Sequence, residues 1–327
     1  MPAATIIEAQ PALPGDAAKP QVVHLTVDAE SAGQRLDNYL IRQLKGVPKT
    51  HVYRIIRSGE VRVNKGRAAA DTRVQAGDAV RVPPVRQALR TEAPVPAREF
   101  AVLLEDEHLL AIDKPAGVAV HGGSGVSFGV IEQLRRARPE ARLLELVHRL
   151  DRETSGVLLI AKKRSALKHL QEQFRERSTG KTYLALVAGD WPERLKVIDA
   201  PMHKYLQGDG ERRVKVVGKD DPDGMRAVTL VKVREHRGGC SLLEVTIKTG
   251  RTHQIRVHLA AQGHPIAGDD KYGDFDWNRR LQKRGLKRMF LHAWRLQFEH
   301  PASGERIELL SPLPADLPWP SDAFQPA

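Results

Sequence analysis

The chain has 327 residues, enough to bury a full core and more in keeping with two domains than with one. Lys and Arg number 52 against 40 Asp and Glu, and the resulting formal charge of +12 favours RNA, DNA or an anionic membrane surface over a cationic or apolar partner. No segment reaches the roughly 18 consecutive apolar residues of a membrane span, residues 1–20 lack a basic start followed by an apolar block, and the single cysteine, Cys240, excludes an internal disulfide and a multi-cysteine metal site. The expected setting is therefore a reducing cytoplasm.

Residues 1–22 are rich in Ala and Pro without periodicity, as in a tail that cannot offset the entropy of ordering. From Gln34 the apolar residues Leu36, Tyr39, Leu40 and Leu44 recur at spacings of three and four and predict a helix. A second helix is predicted over Lys49 to Arg57, closed by Ser58-Gly59. Alternation at Val61 and Val63, then at Val80 and Val82, predicts two strands beside the turns Asn64-Lys65-Gly66 and Gly77-Asp78. Between Arg42 and Arg86 eleven Lys or Arg face Glu60, Asp71 and Asp78, an excess of 11 − 3 = +8. Scattered solubility charges do not usually concentrate so, which makes residues 23–84 a candidate RNA-binding domain, with Arg42, Lys49, Arg54, Arg57, Arg62 and Lys65 on phosphate. Pro83, Pro84, Pro94 and Pro96 then predict an extended linker over 85–99.

Residues 100–315 form the second expected domain, with 316–327 as a tail. Strands are predicted at Val102 to Leu104, Leu109 to Ile112, Leu143 to Val147, Val157 to Ala161, Thr182 to Val187, Arg226 to Val233, Leu242 to Lys248 and Met289 to Phe298. A basic helix fits Ser165 to Arg177, where Leu167, Leu170 and Phe174 share a stripe. Strands outnumber helices and do not alternate with them. The fold class is therefore α+β, with a mixed, largely antiparallel sheet rather than a doubly wound parallel one.

Asp151 stands in a polar loop between two apolar strands, flanked by Arg149 and Arg152. Neighbouring guanidinium groups favour an ionised carboxylate and offset the field of a phosphate-bearing substrate. Taken alone, such an Asp is more often a structural ion pair. His253, His258 and His264 are spaced five and six apart, which does not put two ligands on one helical face, so no metal is expected. Gly122 to Gly125 lack the Gly-Lys-Ser/Thr ending of a phosphate-cradling loop, and Asp269-Asp270 fit a simple turn. Cys240 opens an apolar run to Val245 and is expected to be a buried, inert thiol.

The nine residues His148-Arg149-Leu150-Asp151-Arg152-Glu153-Thr154-Ser155-Gly156 resemble the first signature of the large-subunit ribosomal RNA pseudouridine synthase family. Lys181-Thr182-Tyr183-Leu184-Ala185 is similar to the family's second motif, and Thr249-Gly250-Arg251-Thr252-His253-Gln254-Ile255-Arg256 to its third. Gln34-Arg35-Leu36-Asp37-Asn38 and Gly59-Glu60-Val61-Arg62-Val63-Asn64-Lys65 resemble the small RNA-binding domain first seen in ribosomal protein S-four. Glu153 stands where the family has Asp as often as Glu.

The resemblance implies a pseudouridine synthase catalytic domain and isomerisation of uridines in 23S ribosomal RNA. Asp151 would act on the ribose, Tyr183 would stack on the flipped base, and Arg256, or failing it Arg251, would pair with Asp151. Arg149 would fill the gap left by the base or grip the backbone. The isomerisation changes no oxidation state and adds no group, so no cofactor is expected. A monomer is expected, since nothing in the sequence marks a dimer stripe. Two alternatives stand beside this reading: a ribosome-binding or assembly protein without catalysis, and a glycosidase that releases free uracil.

Overall fold

A computed structural model describes residues 21–44, 46–85, 95–123, 126–208 and 212–317. Residues 1–20 of the tail expected at 1–22, 318–327 of that expected at 316–327, 86–94 of the linker expected at 85–99, Lys45 and Arg86 of the basic stretch, and Ser124-Gly125 of the glycine loop lie outside the described residues. The chain divides into two compact units, Met1–Ala93 and Pro94–Ala327.

In the first unit, β1 (Val23–Thr26), α1 (Leu36–Gln43), α2 (Lys49–Arg57), β2 (Arg62–Val63), β3 (Gly66–Arg67) and β4 (Ala79–Val82) follow in order. The strands pair antiparallel as β1-β4-β2-β3. The three-and-four spacing has its cause in the core, where Leu36, Tyr39 and Leu40 of α1 meet Val52, Ile55 and Ile56 of α2 above Val80 and Val82. Asn64 and Lys65 take positive φ, 49° and 68°, the geometry of a two-residue hairpin turn, and so create β3, a strand with no apolar signal of its own. Asp37 is buried yet charged. Arg35 grips its carboxylate with two bonds of 3.1 and 2.7 Å, Tyr53 Oη donates to it at 3.1 Å, and the arginine holds its pKa below the usual range. Arg42, Lys49, Arg54, Arg57 and Lys65 are exposed, while Arg62 is half-buried.

The second unit holds β5 (Val102–Glu105), β6 (Leu109–Lys114), α3 (Val130–Ala137), β7 (Glu145–Leu146), β8 (Ser155–Ala161), α4 (Arg164–Glu176) and β9 (Gly180–Ala188). It continues with β10 (Val197–Asp199), β11 (Met202–Leu206), β12 (Arg212–Val216), β13 (Val228–Arg237), β14 (Cys240–Ile247), α5 (Gln254–Ala261), α6 (Phe275–Lys283), β15 (Leu291–Glu299) and β16 (Arg306–Leu310). Its main sheet runs β10-β13-β14-β9-β15-β8-β6-β5, with β16 on β15 and β7 on β8. Every pairing in it is antiparallel except β15 with β8. That parallel junction is where the chain leaves the loop of Asp151 and enters β8. At Gly156 φ is +112°, and a Cβ there would lie 2.2 Å from the Ala293 carbonyl, so only glycine lets β15 come this close.

The strand expected over Leu143 to Val147 shrinks to Glu145–Leu146, because Leu143, Leu144 and Val147 reach the core from irregular backbone. The β11–β12 hairpin stands as a separate two-stranded sheet. Its strands alternate poorly, which hid them from a periodicity reading.

Candidate active site

The nine-residue segment at 148–156 is held in place residue by residue. His148 stacks on Phe174 at 4.7 Å and its Nε2 accepts from the Leu159 amide at 3.1 Å. Burial pushes its pKa down to about 3, so it is a neutral acceptor that pins the loop to β8. Leu150 enters the core. The Thr154 amide closes a turn on the Asp151 carbonyl at 3.1 Å. Ser155 Oγ lies 2.9 Å from His292 Nδ1 and receives Arg288 at 3.2 Å. Arg152 turns away, donating Nε to the Gly117 carbonyl at 3.0 Å and pairing with Glu153 at 3.3 Å.

Sequence reasoning passed over Lys114, a fully buried lysine at the end of β6. Its ammonium donates to the carbonyls of Pro115, Val118 and Arg152 at 2.8, 2.8 and 3.1 Å, tying the loop to the strand beneath. Burial draws its pKa down to about 7. The signal available was a lysine ending the apolar run Leu109 to Ile112 just before Pro115.

Anchored in this way, the loop presents Arg149 and Asp151 to two adjoining cavities of about 100 and 520 Å³. Tyr183, Arg251, His253 and Arg256 line the smaller one with them. Tyr183 projects from β9, packed between the apolar cluster of Val245 and Leu291 and that of Leu150 and Leu158. Burial first, and the charge of Asp151 second, raise its hydroxyl pKa, so it is a neutral phenol on the wall of the smaller cavity.

Arg256 is buried in α5, and its closest partner is not Asp151. Its Nε and one terminal nitrogen fork onto Asp269 at 2.7 and 2.6 Å, with Asp270 at 3.1 Å, while its other terminal nitrogen stands 3.6 Å from Asp151. Asp269 is 1% exposed and thus does more than turn the chain. Desolvation opposes its charge, but the guanidinium holds its pKa below the usual carboxylate range. Arg256 is thereby fixed before any substrate arrives, with spare positive charge directed at Asp151. Arg251 lines the same cavities but gives its Nε to the Arg226 carbonyl at 3.1 Å.

Gln254, also missed from sequence, organises the third motif. Its carboxamide oxygen accepts from Thr249 Oγ1 at 2.7 Å and the Arg251 amide at 3.0 Å, and its nitrogen donates to Val228 O and Thr229 Oγ1, both at 3.0 Å. His258 is buried between Thr229 Oγ1 and the Ala200 carbonyl, and His264 contacts the Ala188 carbonyl through Nδ1. Neither faces Asp151. Cys240 is buried, which pushes its thiol up to about 11 and leaves it unreactive. The basic residues Arg42, Lys49, Arg54, Arg57, Arg62 and Lys65 belong to the first unit, where Arg54 and Arg57 line a shallow cavity with Thr50 and Ser58.

The RNA pseudouridylate synthase family model matches residues 108–261, and the S4 domain model matches residues 34–80. Ribosomal large subunit pseudouridine synthase C of Yersinia pestis is 53% identical over 305 residues, covering 91% of this chain and 94% of that one. The protein of the same name from Escherichia coli K12 is 52% identical over 307 residues, covering 91% and 95%. Among solved structures, human RNA pseudouridylate synthase domain containing 4 superposes with a TM-score of 0.55 at 28% identity, over 66% of this chain and 90% of that one.

Proposed function

The chain belongs to the RNA pseudouridylate synthase family, and from that premise we propose how its residues turn uridine in large-subunit ribosomal RNA into pseudouridine. The reaction breaks the bond from the anomeric carbon to N1 of uracil, turns the base, and rejoins it through C5. A proton leaves C5 and one ends on N1, so atoms and charge balance without a cofactor.

Asp151 is the group that acts on the ribose. Its carboxylate either captures the anomeric carbon as that carbon becomes cation-like or removes a neighbouring sugar proton, and both parts need it ionised. Arg256 stands beside it. With its own hydrogen bonds taken up by Asp269, it offers Asp151 a fixed positive field at 3.6 Å rather than a tight pair that would block attack. Tyr183 receives the uracil after the base leaves the stack, a step that costs a few kcal/mol and that an aromatic face offsets. Arg149, exposed at the rim, occupies the space the base vacates or holds its phosphates, and Arg251 lies beside it.

The observation that carries this reading is the cavity that brings Asp151, Tyr183 and Arg256 together from three separate elements. Replacement Asp151→Asn keeps the shape and removes the charge. Purified D151N is expected to bind ribosomal RNA fragments as wild type does while forming neither pseudouridine nor free uracil. Retained product would remove Asp151 from the chemistry, and free uracil from the wild type would mark a glycosidase.

A further inference from the structure

His253 has no part in the steps above, yet its geometry is strained and specific. It is the N-cap of α5 with φ 53° and ψ 23°, a left-handed conformation that a non-glycine residue adopts only under strain. That backbone aims the imidazole between Tyr272 and Asp151. Nδ1 lies 2.8 Å from Tyr272 Oη, and Nε2 lies 4.0 Å from Asp151 Oδ1.

The proton on the ring can be placed. Tyr272 Oη already accepts from the Val214 amide at 3.1 Å. The hydroxyl proton then has one acceptor among the described residues, His253 Nδ1, an arrangement that leaves the ring's own proton to Nε2. Burial lowers the imidazole pKa, so the ring is neutral and holds a single proton, on Nε2. An N–H donor thus faces a carboxylate acceptor across 4.0 Å. That gap is too wide for a direct hydrogen bond, but one oxygen placed in it sits about 2.8 Å from both groups.

We propose that His253 and Asp151 bracket the 2′-hydroxyl of the target uridine, His253 Nε2–H donating to its oxygen and Asp151 Oδ1 accepting its proton. A sugar hydroxyl is both donor and acceptor, which this pair matches and which a deoxyribose lacks. The inference rests on the reading that Asp151 acts at the ribose, since the hydroxyl on the carbon next to the anomeric centre is the one within reach of the same carboxylate. His253 is then a specificity residue that separates RNA from DNA at the reacting sugar.

The test uses the full chain and one ribosomal RNA fragment, made with uridine or with 2′-deoxyuridine at the modified position only. The readout is the ratio of kcat/KM for the two RNAs, because the intrinsic reactivity of the deoxy sugar cancels when that ratio is compared between variants. His253→Ala is expected to lower the ratio about tenfold. His253→Gln, which keeps an N–H near the position of Nε2, restores much of it, although both variants carry the same left-handed backbone. Tyr272→Phe leaves the imidazole but frees Nδ1 to take the proton, and lowers the ratio severalfold. A ratio in H253A within twofold of wild type overturns the proposal. Should H253A be too inactive to measure, a Y272F ratio equal to wild type overturns it instead. D151N on the uridine RNA separates the two ideas: product from that variant refutes the role of Asp151, whereas no product together with an unchanged H253A ratio refutes only the role of His253.

Discussion

Asp269 and His148 show how much of the site depends on residues that never touch the substrate. Asp269 takes two bonds from Arg256 while buried, so Asp269→Asn leaves a guanidinium short of its counter-charge in low dielectric. That variant should lose about 3 kcal/mol in denaturant unfolding and should lower kcat more than it raises KM. An unchanged kcat would mean that Arg256 does not need its anchor. His148 supplies a pH prediction with a definite sign. Its folded pKa, about 3, lies below the ordinary value near 6.5, so between those two values the unfolded chain binds a proton that the folded chain refuses. The stability that depends on neutral His148 is complete above about pH 6.5 and declines as the pH falls. Thermal melts from pH 7 to pH 4 should show that decline, and His148→Gln, which does not titrate, should flatten its part of it. Asp151 and Tyr183 were legible in the sequence because a motif surrounds each. Asp269, Lys114 and Gln254 were not, since each acts through a partner 13 to 38 residues distant, and no periodicity encodes such a contact.

The helices of the first unit were legible because burial follows the three-and-four rule, and α2 spans Lys49–Arg57 as its pattern predicts. The central strands of the second unit were legible for the same reason in period two. Edges and short pairings were not. β3, β10 and the β11–β12 hairpin owe their existence to a turn or a neighbour, and their side chains carry little apolar alternation. The parallel contact of β15 with β8 was invisible as well, although its consequence is a glycine in the nine-residue signature. Gly156→Ala would push a methyl group into the Ala293 carbonyl at positive φ. It should cost about 3 kcal/mol or more and displace the loop that carries Asp151. A variant with wild-type stability and activity would show that the junction yields. Asp37 plays a comparable part for α1 and α2. Its pKa is held down chiefly by Arg35, so the stabilisation is present above the ordinary aspartate value near 3.9 and is lost as acid protonates the carboxylate.

Across the whole molecule, the concentrated charge and the cavity fall in different units. Two thirds of the net charge, +8 of +12, lies between Arg42 and Arg86, whereas the cavity with Asp151 belongs to the second unit. Composition alone exposed the first fact, because charge is a property of the sequence. The second required the fold, since Asp151, Tyr183 and Arg256 come from a loop, a strand and a helix that the sheet brings together. We expect Arg54→Ala with Arg57→Ala to lower RNA affinity and to reduce the slope of log K against log salt by about 1 to 2, with the chemical step at saturating RNA unchanged. An unchanged slope would free those residues from phosphate. The central claim is that the ionised carboxylate of Asp151 performs the isomerisation. It is tested most directly by mapping pseudouridine in large-subunit ribosomal RNA from cells that lack this chain and carry either the wild type or D151N at equal abundance. The wild type is expected to restore the missing sites and D151N to restore none of them. Full restoration by D151N would contradict that claim.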